Sequence, residues 1–270
     1  MDQVYQPPCV KERLICAARV QAQIIGAVIL RDMRTRFGRS HLSFALALCW
    51  PLMHMMVIYF GYVLVSKVVP VGGSPGVFIS TGSLPYILVL YPARMMSLAV
   101  LLNRQTLMFP IVKTTDLIIA RGIVEFFSAF MVIILYATIL TALEVDIVPQ
   151  DWSLVASAIL ACIYLGIGLG VLNVIIISLV KLWLFAFIGI MALLFVTAGV
   201  STLQIGFSEQ AKAILWYNPL VHAIVWLRTA YYGDYSDFEL SKTYIISVAT
   251  VSMFLGIIGD RVLRGRVLMG

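Results

Sequence analysis

Basic side chains form the most prominent chemical cluster of this sequence, in the stretch that contains Arg31, Arg34, Arg36 and Arg39. Such a run can bind the phosphates of nucleic acids, the phosphates of lipids or an acidic polymer. Nucleic acid is a poor candidate, because long uncharged stretches separate the basic residues of this chain instead of grouping them on one water-facing surface. We therefore expect no nucleic acid partner.

Catalysis would require carboxylates, histidines or cysteines that converge on one point. His41, His54 and His222 are far apart along the chain, and no Cys-x-x-Cys pair or other metal-ligand spacing occurs. A Gly-x-x-x-x-Gly-Lys-Ser/Thr loop is also absent, so ATP phosphates are not bound in that way. We predict no enzyme, no metal site and no cofactor in this chain; a membrane-bound enzyme is the competing hypothesis.

The elements that must carry these residues are apolar helices. The chain has 270 residues, of which 61% are hydrophobic and 12% are charged, and its mean hydropathy is +1.00. A helix crosses a bilayer with about 20 mostly apolar residues. Six segments meet this requirement: Ser43 to Ser66, Phe78 to Leu102, Leu117 to Leu143, Ser153 to Val180, Trp183 to Leu203 and Thr243 to Val262.

Orientation follows from the distribution of Lys and Arg, which are enriched in cytoplasmic loops. Most of these residues fall on the side that holds the N-terminus, whereas acidic residues such as Asp146, Asp151 and Glu209 fall on the other side. We expect both termini in the cytoplasm, and no cleavable signal peptide before the first span.

The segment from Lys11 to Arg36 has apolar residues on one side of a helix and basic residues on the other. This pattern predicts an amphipathic helix that lies along the inner leaflet and offers its charges to lipid phosphates. The alternative is that the basic residues only anchor the first span.

Three stretches, in the same order, resemble the capsule-polysaccharide export permeases, which are the membrane subunits of type-2 ATP-binding-cassette exporters. They are "LRDMRTRFGRSHLSFALALCWP", "FPIVKTTDLIIARGIVE" and "LWYNPLVHAIVWLR". The resemblance implies an all-α membrane protein of the bacterial inner membrane with six spans, an interfacial helix and re-entrant periplasmic gate helices before the last span. It implies one transmembrane domain over 1–270, with an interfacial part (1–40), spans 1 to 5 (41–203), a gate region (204–241) and a last span with its tail (242–270).

The family also implies partners. These are a second copy of the chain, two copies of a separate ATPase subunit that binds ATP and Mg, the lipid-linked polysaccharide, periplasmic and outer-membrane export proteins, and membrane lipids. Contact with the ATPase is expected at the basic segment and at the loop from Asn103 to Asp116, which could alternatively be a plain connection. The predicted coupling residues are Arg31, Asp32, Arg34, Arg36, Phe109, Lys113 and Asp116.

The outer segment from Gln204 to Ser241 is expected to form the gate. Asn218 and Pro219 make a strong helix start, with a capping side chain followed by proline. We predict two short re-entrant helices, Ser208 to Tyr217 and Pro219 to Tyr232, in which His222 and Arg228 face away from the apolar side. The predicted gate residues are Trp216, Tyr217, Asn218, Pro219, His222, Trp226 and Arg228. Their aromatic rings could line a conduit for sugars or form an interfacial belt.

Charged residues inside spans are candidates for function. Arg94 and Glu125 are at similar depth and could pair, although Arg94 could reach the inner leaflet and Glu125 could pair with Arg121 on its own helix. The candidate contacts with the substrate or its lipid linker are Arg34, Arg39, Arg94, His54, Tyr59 and Trp183. His54 could instead be a packed, hydrogen-bonded side chain.

Pro85 and Pro92 are expected to kink the second span or to split it near Tyr91. The resulting hypothesis is a permease that exports a lipid-linked capsular polysaccharide, which we expect to be acidic. The alternative is a permease of the same fold that exports O-antigen, another glycolipid or a small molecule or drug.

Overall fold

A computed structural model describes residues 10–37, 41–65, 69–203, 208–233, 235 and 238–269, with the side chains at 10–15, 35–37, 41–47 and 264–269 left out of the description. All regular elements of the described chain are helices, which confirms the all-α prediction. The helices are α1 (Val10–Phe37), α2 (His41–Val65), α3 (Pro75–Ser97), α4 (Ala99–Leu102), a 3-10 helix (Arg104–Met108), α5 (Thr114–Ala142), α6 (Trp152–Leu179), α7 (Trp183–Thr197), α8 (Glu209–Leu215), α9 (Pro219–Tyr232) and α10 (Lys242–Met269).

Five helices of the described chain are long and apolar enough to cross a membrane. They contain the stretches Leu48–Val65, Pro75–Ser97, Thr114–Ala142, Trp152–Leu179 and Lys242–Leu263. The predicted fifth span corresponds to α7, which has 15 residues and is therefore about 22 Å long, shorter than the roughly 30 Å hydrocarbon core. The rest of that apolar run, 198–203, forms a turn and is not helical.

Helix α3 lies at the centre of the bundle, with 19 of its 23 residues buried. It packs against α2, α5, α6, α7 and α9. The helix is continuous through Pro85 and Pro92, so it is not split near Tyr91, and its break falls at Leu98, before the short helix α4. The second predicted span is thus two helices.

Helices α6 and α10 approach each other closely because glycines lie at their contact. A Cβ atom added at Gly168 would lie 2.4 Å from the Ala249 carbonyl oxygen, and one added at Gly256 would lie 2.7 Å from the Val171 backbone. Small residues at such crossings let two backbones approach and are common between membrane helices. This pair fixes the position of α10.

The predicted helix from Lys11 to Arg36 is present as α1. Its apolar side packs against protein: Val28 forms a buried cluster with Leu117 and Ala120 at the start of α5, and the loop residues Leu107 and Val112 pack against the same cluster. Helix α1 is therefore joined to the Asn103 to Asp116 loop and to α5.

Candidate functional site

Buried charges join α1 to α5 and form what we call the inner charge cluster: Asp32, Asn103, Arg121 and Glu125. Asp32, which is 4% exposed, accepts a hydrogen bond from Arg121 Nη1 at 2.8 Å and one from Asn103 Nδ2 at 3.3 Å. Arg121 Nε lies 3.1 Å from Glu125 Oε1. Because a buried ion is costly unless it is paired, these contacts hold α1, the end of α4 and α5 in one arrangement.

A second polar contact lies on the other side of the same loop. Asp116 is fully buried, and its carboxylate accepts a hydrogen bond from the Lys113 backbone N–H at 2.9 Å, which caps α5. Gln21 Nε2, on α1, donates to the same carboxylate. The loop from Asn103 to Asp116 is thus fixed to α1 at both of its ends.

Between these contacts the loop presents an apolar surface. Met108 is 83% exposed, Phe109 is 62% exposed, and Ile111 and Lys113 are also exposed. Beside them lies a groove of about 740 Å³, lined by Ile24, Ala27, Val28, Arg31, Gln105, Thr106, Met108, Phe109, Ile111 and Val112. Exposed apolar side chains next to a groove are typical of a protein contact surface.

The predicted coupling residues therefore divide into two groups. Asp32 and Asp116 are internal and position the loop, whereas Phe109, Lys113 and Arg34 are exposed and Arg31 is half-buried. The Arg36 side chain and Arg39 lie outside the described residues.

Three of the predicted substrate residues, His54, Tyr59 and Trp183, have packing partners in the bundle. Arg34 is exposed, and Arg39 lies outside the described residues. Nδ1 of His54 is 3.3 Å from the Tyr91 hydroxyl, as expected for a packed histidine, and Trp183 Nε1 donates to Asn173 Oδ1 at 2.8 Å. Tyr59 is buried. No contact among the described residues joins His54, Trp183 and Arg94 to one another. These three side chains therefore do not meet directly at one substrate site.

Glu125 forms an ion pair with Arg121. This is one of the two pairings that the sequence left open. Arg94 is half-buried, and its Nε has no hydrogen-bond partner among the described residues. It lies near the end of α3 that precedes the exposed loop.

At the opposite end of the bundle, the start of α9 is fastened to the end of α7. Asn218 Oδ1 accepts a hydrogen bond from the Leu220 N–H at 2.9 Å, which confirms the predicted helix cap. Its Nδ2 donates to the Leu194 carbonyl and to Thr197 Oγ1, each at 3.0 Å. One side chain thus caps one helix and holds another.

Arg228 fastens the other end of α9 to the turn that follows α7. Its side chain is fully buried, and it donates to the carbonyl oxygens of Gly199 at 3.0 Å, Val200 at 2.6 Å and Thr202 at 3.2 Å. Its guanidinium also lies 4.1 Å from the centre of the Phe78 ring, at the start of α3. Residues 220–228 of α9 are all buried, so Arg228 is enclosed by protein although the sequence set it apart from the apolar side of the helix.

His222, the other polar side chain that the sequence set apart from the apolar side of α9, is also buried. The Ser241 N–H donates to its Nδ1 at 3.2 Å, and its Nε2 lies 2.7 Å from the Trp216 carbonyl oxygen. A backbone N–H can only donate, so Nδ1 is the acceptor and Nε2 carries the proton. The site selects neutral histidine, and burial accordingly lowers the pKa of His222 below its usual 6.5.

The remaining gate residues differ in exposure. Trp226 is buried beneath Lys242, whose Nζ is 5.1 Å from its ring, whereas Tyr217 is largely exposed. A cavity of about 510 Å³ opens here, lined by Glu209, Lys212, Ala213, Trp216, Tyr217, Phe238 and Glu239. Rings and charged groups side by side are able to contact both the apolar faces and the hydroxyl groups of a sugar.

Two positioning residues were not predicted from the sequence, Gln21 and Asn103. Nothing in their local patterns indicates that they bind Asp116 and Asp32, since each contact joins distant segments. Arg121 was found only as a partner of Glu125, from the spacing of four residues on one helix.

Known proteins give the chain a context. No family model matches it. Two proteins of Escherichia coli, each named polysialic acid transport protein KpsM, are similar to it: one is 27% identical over 250 residues, the other 26% identical over 247 residues. Each similarity covers 88% of this chain and 92% of the relative. The resemblance to capsule-polysaccharide export permeases that the three motifs indicated is thereby confirmed over nearly the whole chain.

Proposed function

We propose that this chain is the permease subunit of an ATP-driven exporter that moves a lipid-linked, acidic capsular polysaccharide across the bacterial inner membrane. The observation that carries this proposal is the similarity over 88% of the chain to proteins named for polysialic acid transport. The exposed Arg34 and half-buried Arg31 support it, because they offer positive charge to an anionic lipid linker or polymer.

The energy comes from a separate ATPase. The chain lacks a phosphate-binding loop, and the exposed surface around Phe109 and Lys113 is the place where two ATPase copies would dock on a dimer. Movement of this surface would reach α5 through Asp116 and through the Asp32–Arg121 ion pair. Buried polar contacts suit this role because they have defined geometry and are costly to break.

The exporter is a homodimer in this proposal. Helix α2 exposes an apolar stripe at alternating spacings of three and four residues, formed by Trp50, Met53, Val57, Phe60 and Leu64. Helix α7 exposes Phe185, Leu193 and Val196. Both helices pack on α3, so these stripes are suited to face the second copy around a central path.

Both termini are cytoplasmic in this arrangement, and the short helix α7 is the fifth of six crossings. Helices α8 and α9 form the periplasmic gate, since Asn218 and Arg228 tie α9 to both ends of the path-lining segment 194–202. The cavity beside Trp216 and Tyr217 would receive the sugar chain before periplasmic and outer-membrane export proteins take it over.

Reconstitution tests the function directly. The chain and its ATPase, purified together in proteoliposomes, are expected to move a lipid-linked acidic polysaccharide in an ATP-dependent manner, and an ATPase variant that cannot hydrolyse ATP is the control. Stimulation of ATP hydrolysis by O-antigen lipid, another glycolipid or small hydrophobic drugs alone would favour the alternative cargo. Transport by the isolated chain would contradict the proposal.

The coupling surface has its own test. Lys113→Glu reverses a charge on the exposed loop and is expected to abolish copurification of the ATPase, while Lys212→Glu makes the same change at the far end of the bundle and should leave it intact. The double variant Arg31→Ala, Arg34→Ala is expected to reduce capsule export. Unchanged copurification in the first variant would exclude this loop as the docking surface.

A further inference from the structure

An apolar groove lies between α5, α6 and α10, and the proposed function uses none of the residues that line it. It has a volume of about 710 Å³. Its lining consists of Met96, Thr115, Ile118, Ile119, Gly122, Ile123, Phe126, Phe127, Ile167, Val171, Met253, Ile257 and Asp260. Asp260 is the only charged residue among them.

The groove has the length of one half of a bilayer. Thr115 and Phe127 mark its extent along α5, and twelve helical residues at about 1.5 Å each correspond to about 18 Å. One leaflet contributes about 15 Å of hydrocarbon. The side chains along this wall, including Ile119 and Phe127, are exposed at the surface of the bundle. A single acyl chain therefore matches the groove in length and polarity.

The polar end of the groove is Asp260. Its carboxyl group is buried, with the residue 2% exposed, and Oδ1 has no hydrogen-bond partner among the described residues. It lies at the end of the groove where α5 begins, three residues before the end of the apolar stretch Lys242–Leu263 of α10. A buried carboxylate is costly unless a cation or a hydrogen-bond donor compensates it.

We propose that this groove binds a phospholipid with a primary ammonium headgroup, phosphatidylethanolamine. One acyl chain lies along Ile119, Ile123 and Phe127, and the ammonium group donates hydrogen bonds to Asp260. Arg261, the next residue, is exposed at the same depth and provides a positive charge for the phosphate. The choline headgroup has no N–H to donate, and an anionic headgroup without an amine would be repelled by the carboxylate.

Native mass spectrometry of the purified full-length chain tests this proposal. The chain is exchanged into micelles that contain equal amounts of phosphatidylethanolamine, phosphatidylcholine and phosphatidylglycerol, and the lipids retained are counted. The wild-type chain is expected to retain phosphatidylethanolamine, and successive N-methylation of the headgroup should weaken retention stepwise. Asp260→Asn is expected to reduce the preference for phosphatidylethanolamine over phosphatidylcholine about tenfold.

The groove itself is tested by Ile123→Trp, which fills it. Ile134→Trp is the matched control, because Ile134 is also exposed on α5 but lies beyond the groove. Loss of the bound lipid in the first variant only would support the site. Equal retention of the ethanolamine and choline lipids by the wild-type chain, a preference for phosphatidylglycerol, or unchanged retention in Ile123→Trp would each overturn the proposal.

Discussion

Replacement of Arg228 by methionine should detach α9 from the turn after α7. The substitution keeps the length and most of the volume of the side chain. It removes three hydrogen bonds to the carbonyls of Gly199, Val200 and Thr202, and a longer one of 3.5 Å to the carbonyl of Phe78. A hydrogen bond to a charged group contributes about 1.5 kcal/mol or more. The loss of three such bonds, less the cost of burying the guanidinium, gives an expected destabilisation of about 3 to 5 kcal/mol.

The change Arg228→Lys keeps the positive charge but loses the planar hydrogen-bonding geometry, so it shows how much of the stabilisation depends on that geometry. An ammonium group is a single point that cannot reach three carbonyls in the way that a planar guanidinium does. It also places its charge differently over the Phe78 ring. We expect this variant to lose about half as much stability as the methionine variant.

The free energy of unfolding can be measured by titrating dodecyl sulfate into mixed micelles while tryptophan fluorescence is followed. Lys181→Met is the control, because Lys181 is exposed at the turn between α6 and α7 and its removal should change stability by less than about 0.5 kcal/mol.

A second readout reports on the turn itself. Ser201, which is exposed in this turn, can be replaced by cysteine and labelled with an impermeant maleimide. Labelling should become faster when Arg228 is replaced. Equal unfolding curves for Arg228→Met and Lys181→Met, with equal labelling rates, would refute the conclusion that Arg228 holds this turn.

Three further predictions concern other contacts. Asp32→Asn should lower the free energy of unfolding by about 3 to 5 kcal/mol, whereas Glu209→Gln, in an exposed pair, should lower it by at most about 1 kcal/mol. Equal losses in the two variants would show that the Asp32–Arg121 pair does not stabilise the fold. Because the folded chain keeps His222 neutral and depresses its pKa, the free energy of unfolding should have its full value above pH 6.5 and decline below that pH. His222→Gln should remove this pH dependence of the free energy of unfolding. Gly168→Leu should destabilise the chain by about 1 to 3 kcal/mol or more, while Gly189→Leu, with open space around it, should be nearly neutral in the same titration.

Local chemistry made the helix starts predictable. Asn218 and Pro219 specify a cap and a first helical residue without reference to the rest of the chain, and the cap is present with the expected hydrogen bond. Long apolar runs likewise predicted four of the five long spans to within a few residues, because a bilayer imposes a minimum length on a helix.

The end of α7 could not be predicted in this way. The run from Trp183 to Leu203 is apolar enough to continue as a helix, but Gly199 adopts a φ of 72°, and the carbonyls of the turn are directed to Arg228. Nothing in the run itself predicts that these carbonyls accept hydrogen bonds from a residue almost thirty positions later.

The same limitation explains Asp32. On an amphipathic helix at a membrane surface, an acidic residue is expected to face water, and the sequence therefore suggested a contact surface. Its burial depends on Arg121, which is 89 residues away in the sequence. The pair of Arg121 and Glu125 could be anticipated because both residues lie on one helix.

The burial of α3 has a consequence for the order in which the protein is made. This helix is the least hydropathic of the five long spans and carries Ser80, Thr81 and Ser83 in its buried half. Its hydroxyl partner Tyr136 and most of the helices that surround it are synthesised later. The hydroxyl groups of a newly inserted α3 must therefore be kept out of lipid, in the insertion machinery or beside α2, until α5, α6 and α9 have been synthesised.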